Sequence, residues 1–174
     1  GYNLYDVSMF RNLETLMLLN CRSITDVSML GNIRILCLRG CKSITDVSNL
    51  GKVHHLDLSW CDNVTDVSAL GDVNELILNY CSKIKDISKL GRNWAIDLTH
   101  CKGITDVSSL SKVKYLSLSY CENITNVSML GNVNSLFLSS CPKITDIKAL
   151  GKLEFLKMSE SEIYDVSPLK NIRE

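Results

Sequence analysis

The sequence has no excess of either charge: Lys and Arg number 19, Asp and Glu number 19, and the formal net charge is zero. That balance removes any general electrostatic pull toward nucleic acid or an anionic membrane, so partners must be read from local surfaces. No run of about 18 apolar residues occurs, which argues against a membrane-spanning helix. The opening GYNLYDVSMF lacks the basic start and apolar stretch of a signal peptide. Missing too are paired CxxC motifs, a nucleophile elbow and a phosphate loop, so zinc binding, serine hydrolase chemistry and nucleotide binding have no motif to rest on. Long polar tracts are absent, and 45% of residues are hydrophobic. A single folded domain over residues 1–174 is the expectation.

What is present is repetition. Units such as VHHLDLSWCDNVTDVSALGD, VNELILNYCSKIKDISKLGR and VKYLSLSYCENITNVSMLGN follow one another, so that equivalent residues recur at every twentieth position. One residue is lost near the C-terminus, where MSESEIYDVSPL brings Ile163 one place early. About eight coils result, with residues 1–12 a partial first coil and 153–174 an irregular last one. Each unit reads LxxLxLxxCxxITDVSxLG. The L-x-L core has the period of two that a strand needs, and the rest of the unit does not keep it. A short strand, a turn and a brief 3₁₀-like segment complete a coil, because a unit of this length leaves no room for a full α-helix as well.

These residues resemble the leucine-rich repeat family, whose signature L-x-x-L-x-L-x-x-N/C-x-L they carry in coil after coil. The ITDVSxL half is similar to the repeats of bacterial internalins, and cysteine-bearing arrays of this kind are also seen in protozoan and large-DNA-virus proteins. The resemblance implies an α/β-type solenoid of strand plus 3₁₀ turns. Its form would be a right-handed superhelix with one short parallel strand per coil, used for protein recognition on its concave sheet face and usually without catalysis.

Stacked coils turn repeated positions into columns. Leu16, Leu36, Leu56, Leu76, Ile96, Leu116, Leu136 and Leu156 form one apolar ridge. Cys21, Cys41, Cys61, Cys81, Cys101, Cys121 and Cys141 form another column. An odd number in a parallel ladder neither pairs off in disulfides nor converges on a metal, so the expectation is buried structural thiols in an intracellular, reducing compartment, which would be host cytoplasm were the protein viral. Cys37, outside the column, is the thiol expected to react. Asp26, Asp46, Asp66, Asp86, Asp106 and Asp146, with Asn126 in the same column, are read as caps on the short helical segments rather than calcium ligands. Gly31, Gly51, Gly71, Gly91, Gly131 and Gly151 are read as left-handed turn residues, with Ser111 the exception. The N-glycosylation patterns at Asn63, Asn123 and Asn126 are taken as by-products of the repeat.

The positions that the repeat leaves free carry what is specific to this chain. Just before four successive cysteines stand Trp60, Tyr80, His100 and Tyr120, in a chain with only 6% aromatic residues. Neighbouring coils bring such rings within stacking reach. Two compatible readings follow: a ladder that covers the strand-to-turn corner, or a binding surface, since Trp and Tyr are enriched in interface hot spots. With His55, Asp57, Ile77, Asp97 and Phe137 they make the candidate partner-binding set. A catalytic reading would make His55 a base beside Asp57, or His100 beside Asp97; a shallow sheet face without an oxyanion pocket argues against it. The function expected is a non-catalytic protein-interaction module, with no cofactor, metal, nucleic acid or membrane partner. The alternative is a structural role through end-to-end or flank packing, with homo-association through an N-terminal coil whose Leu4, Val7 and Phe10 lack a polar cap.

Overall fold

A computed structural model describes residues 4–160, 163 and 165–169; the rest of the irregular last coil expected over 153–174 lies outside them. Every L-x-L motif becomes a three-residue strand: β1 Thr15–Met17, β2 Ile35–Cys37, β3 His55–Asp57, β4 Glu75–Ile77, β5 Ala95–Asp97, β6 Tyr115–Ser117, β7 Ser135–Phe137 and β8 Phe155–Lys157. They lie parallel in one sheet in chain order, and the central residue of each pairs with the central residue of the next, as Leu36 does with Leu56. The register follows from the period, because a slip of one residue would turn every leucine out to solvent.

The leucines point inward. Leu36, Leu56, Leu58, Leu78 and Leu98 are wholly buried, as are Ile24, Leu30 and most of their equivalents on the opposite wall. That wall is made of short 3₁₀ segments such as Ser28–Leu30, Ser48–Leu50 and Ser108–Leu110. The Asp column caps them as the sequence suggests. Asp26 Oδ1 accepts the Ser28 N–H at 2.8 Å, and Asn126 Oδ1 does the same for Ser128 at 2.9 Å. Hydrogen bonds from the serine backbone N–H, then from its side chain, hold the carboxyls of Asp26, Asp46, Asp66, Asp86 and Asp106 below their usual range.

The glycine column has a different cause from the one expected. Gly31, Gly51, Gly131 and Gly151 are right-handed, with φ between −63° and −67°. What they need is space: a Cβ on Gly51 would collide with the carbonyl oxygen of Ala69 in the next coil. Gly91, at φ +116°, is the member of the column that is left-handed. It sits in the one coil between β2 and β8 where no 3₁₀ segment forms before the next strand. There Asn93 takes a position held elsewhere by Val, Ile or Leu and is nevertheless buried. Its carboxamide Nδ2 donates to Leu70 O and Val73 O, and its Oδ1 accepts the Gly91 N–H.

Candidate functional site

The cysteine column is a hydrogen-bonded ladder. Each thiol from Cys41 to Cys141 donates to the carbonyl of a leucine in the preceding coil, as Cys61 Sγ does to Leu38 O at 3.2 Å and Cys101 Sγ to Leu78 O at 3.0 Å. Burial pushes the thiol of Cys41 up to about 11 and those of Cys81 and Cys121 up to about 12; Cys61 and Cys101 are raised further still. These groups are proton donors, not nucleophiles. All eight cysteines are free. The thiol expected to react, Cys37, is 8% exposed, with its Sγ 3.5 Å from Asp57 Oδ2, whereas Cys21 in the first coil is partly exposed. Among the described residues, no group of three or more His, Cys, Asp or Glu side chains is placed to hold a metal ion.

Immediately before each cysteine of the column, and at the equivalent Glu160 of the last coil, the backbone turns left-handed. Asn20, Trp60, Tyr80, His100, Tyr120, Ser140 and Glu160 have φ between 52° and 63°, and Gly40 has φ 73°. The turn is closed by the cysteine N–H, which donates to the leucine carbonyl three residues back, as Cys61 does to Leu58 O at 3.0 Å. The left-handed residue is also pinned sideways: Trp60 N–H donates to Asn79 O, and Tyr80 N–H to Thr99 O. Turns with positive φ at the third residue ordinarily take Gly or Asn there, as Gly40 and Asn20 illustrate. A bulky side chain in that conformation costs about 1–3 kcal/mol.

On this backbone the four rings form one continuous stack. Trp60 and Tyr80 have centroids 3.8 Å apart at 13°, Tyr80 and His100 4.2 Å at 16°, and His100 and Tyr120 4.3 Å at 7°. Each such contact returns about 0.5–1.5 kcal/mol. Three contacts at most offset the strain of four left-handed residues, and the area that the rings bury against one another adds to them. The outer members, Trp60 and Tyr120, are 37% and 40% exposed. Burial, then the charge of Lys102, lowers the pKa of His100 from its ordinary value, against an opposing effect of Glu122, so the imidazole inside the stack favours its neutral form.

The other candidate residues also reach the outer face of the sheet, in different pairings from those the sequence suggested. His55 Nδ1 lies 2.8 Å from Glu75 Oε2 across the strands. Asp57 instead accepts the Ser59 N–H at 2.8 Å and the Ser59 hydroxyl. Asp97 is held by Thr99 in the same way, at 2.9 Å from the N–H. His100 lies in the ring stack, so neither His–Asp pair that a catalytic reading would need forms. Ile77 and Phe137 line a shallow hollow of about 210 Å³ on this face. Two further ring pairs escaped the sequence reading: Trp94 with Tyr115 at 4.6 Å, and Phe137 with Phe155 at 5.3 Å. Their columns, taken coil by coil, held the signal.

No family model and no curated protein matches the chain. Solved structures do. The functional domain of InlJ from Listeria monocytogenes, which includes a cysteine ladder, is 20% identical over 98% of this chain, with a TM-score of 0.43; the chain spans 50% of its length. Internalin C2 from the same bacterium is 26% identical over 72% of this chain and 70% of its own, with a TM-score of 0.45. TLR13, solved with ssRNA13, is 23% identical over 84% of this chain and 25% of its own, with a TM-score of 0.59. Rad7, solved with Elc1 in yeast, is 14% identical over 90% and 44%, with a TM-score of 0.57. One parallel strand per coil, inward leucines, 3₁₀ backs and an architecture shared with TLR13 and Rad7 make this chain a leucine-rich repeat solenoid.

Proposed function

We propose that the chain is a non-catalytic interaction module that holds a partner protein on the outer face of its sheet, along the ring stack from Trp60 to Tyr120 and the adjoining strands β3 to β7. The observation that carries this reading is the ring column itself. Four large rings occupy left-handed backbone where Gly or Asn is the low-strain choice, their mutual stacking at most offsets the strain, and the end rings stay open to solvent. Strained backbone that presents exposed rings is the kind of feature found at recognition sites.

Two further observations support it. Sheet-face residues His55, Glu75, Asp57 and Asp97 are engaged with their neighbours rather than arranged around a reacting centre. The outward residues of β3–β5 include three carboxylates and no Lys or Arg, which disfavours a nucleic-acid backbone. Eight free thiols suit a reducing compartment.

The test is selection of a displayed random-peptide library on the chain, with bound peptides located by hydrogen–deuterium exchange. Protection across β3–β6 is expected, as is loss of binding when Trp60, Tyr80 and Tyr120 are all replaced by Ser in a protein that keeps its circular dichroism. Protection confined to other faces, or undiminished binding by the folded triple variant, overturns the reading.

A second reading, assembly through the first coil, draws on a specific surface. Val7 is buried and Leu4 and Phe10 partly so, but Met9 is 73% and Met17 65% exposed. Light scattering that shows a concentration-independent monomer would dispose of self-assembly.

A further inference from the structure

We propose that the hollow over Ala95 is the seat of a single arginine side chain from the partner protein. This rests on the reading of the sheet face as an interface and names the chemistry of the residue that anchors there.

The hollow exists because Ala95 is small. Its neighbours in the same outward column are Glu75 on β4 and Tyr115 on β6, both long. Between them a depression of about 210 Å³ opens, walled also by Ile77, Asp97 and Phe137. That volume lies below the range of roughly 300–1,000 Å³ usual for small-molecule sites and suits one side chain.

The walls are of two kinds. Ile77, Tyr115 and Phe137 offer apolar surface for an aliphatic stem, and Tyr115 is 44% exposed and able to receive a flat cation against its ring. Two carboxylate residues, Glu75 and Asp97, also line it. Asp97 is fixed by two hydrogen bonds, both to its Oδ1, from the Thr99 N–H and hydroxyl, and its Oδ2 accepts no hydrogen bond from any described residue. The backbone and hydroxyl of Thr99 thus hold the carboxylate through one oxygen and leave the other able to accept.

Glu75 lies on the other side, shared with His55 at 2.8 Å. Asp57, two strands from Asp97, adds to the negative potential. Residues 55–60, 75–80 and 95–100 contain Asp57, Glu75 and Asp97 and no Lys or Arg. Charge complementarity therefore calls for a cation, and the mixture of stem-binding, ring and carboxylate walls calls for guanidinium, which is planar, weakly hydrated and able to bond a carboxylate while lying on an aromatic face.

The test is a titration of the isotopically labelled full chain with N-acetyl-arginine-methylamide, followed by amide chemical shifts, beside the lysine and norleucine analogues. Saturable shifts at Ala95, Asp97 and Tyr115 are expected with arginine, weaker ones with lysine and none there with norleucine. Asp97→Asn should weaken the arginine response at least tenfold, and Ala95→Leu should abolish it by filling the hollow. Both variants must show a dispersed spectrum, and an Asp97→Glu variant should recover part of the response if either fails to fold. Norleucine shifts equal to those of arginine, lysine responses as strong as those of arginine, or an unchanged arginine response in Asp97→Asn each overturn the proposal. Peptides that protect β3–β6 while arginine leaves the hollow unmoved would defeat this inference alone. Peptides that bind elsewhere, with arginine still titrating at Ala95, would defeat the interface reading alone.

Discussion

His100 and Cys101 are consecutive in the chain and opposite in every physical respect. Cys101 is wholly buried, donates its S–H to Leu78 O, and occupies a position filled by the same residue in seven coils. His100 is partly exposed, stands on strained backbone between two tyrosines, and occupies a position held in other coils by Asn, Gly, Trp, Tyr, Ser or Glu. One peptide bond separates a residue required by the fold from one the fold merely permits. In a stacked array this is the general situation: inward positions repeat because each coil is the floor of the next, and outward positions are free to differ.

The comparison can be broken first from the buried side. Replacing Cys101 by Leu overfills a column with no space, and urea unfolding should show a loss of about 1–3 kcal/mol. A loss below a few tenths would mean that the column is looser than its burial indicates.

Thiol labelling sharpens the same contrast without mutation. Mass spectrometry after a brief pulse of a maleimide should find Cys21 modified first, Cys37 more slowly, and the six from Cys41 to Cys141 only once the protein unfolds. Uniform labelling of all eight in the native protein would contradict the ladder.

On the outward side, Tyr120→Gly removes one stacking contact, worth about 0.5–1.5 kcal/mol, and relieves a left-handed residue of about 1–3 kcal/mol of strain. As these two terms oppose, stability should move between a loss of about 0.5 and a gain of about 2.5 kcal/mol, while affinity for a face-binding peptide falls at least tenfold. A variant that loses stability heavily would make the rings structural.

The smallest effect is titration of His100. Its folded pKa lies below the unfolded value of 6.5, so the unfolded chain binds the proton more readily. Any stability tied to the neutral ring is present above pH 6.5 and declines as pH falls below it. His100→Gln should flatten thermal stability between pH 7.5 and 5.5 relative to the parent chain; an unchanged slope would assign the dependence to other groups.

Much of this was legible in the sequence because the period converts positions into neighbours. The strands, the leucine ridges, the Asp caps and the stacking of four rings all follow from equivalent positions of successive units being adjacent in space. The left-handed position was misplaced, since glycine suggests positive φ, yet the glycine column is explained by carbonyl oxygens of the next coil. Asn20 and Gly40, standing in the ring column, were the better clue. The pairing of His55 with Glu75 rather than Asp57 was missed for a related reason. Cross-strand neighbours are about 4.8 Å apart and residues i and i+2 along a strand about 6.6 Å, so proximity in the chain is the weaker guide. Asn93 could not be foreseen as buried, because only the structure shows the two carbonyls that satisfy it.

The thiol-to-carbonyl bonds have a consequence for how the chain finds its fold. Each joins a cysteine to a leucine one coil back, and strand pairing likewise joins only successive coils. No coil has to wait for a distant segment: once two adjacent coils have formed, the next needs only to close a loop of the same modest length onto a finished edge. Folding should therefore spread outward from whichever pair forms first, and the free energy of the whole should grow almost in proportion to the number of coils.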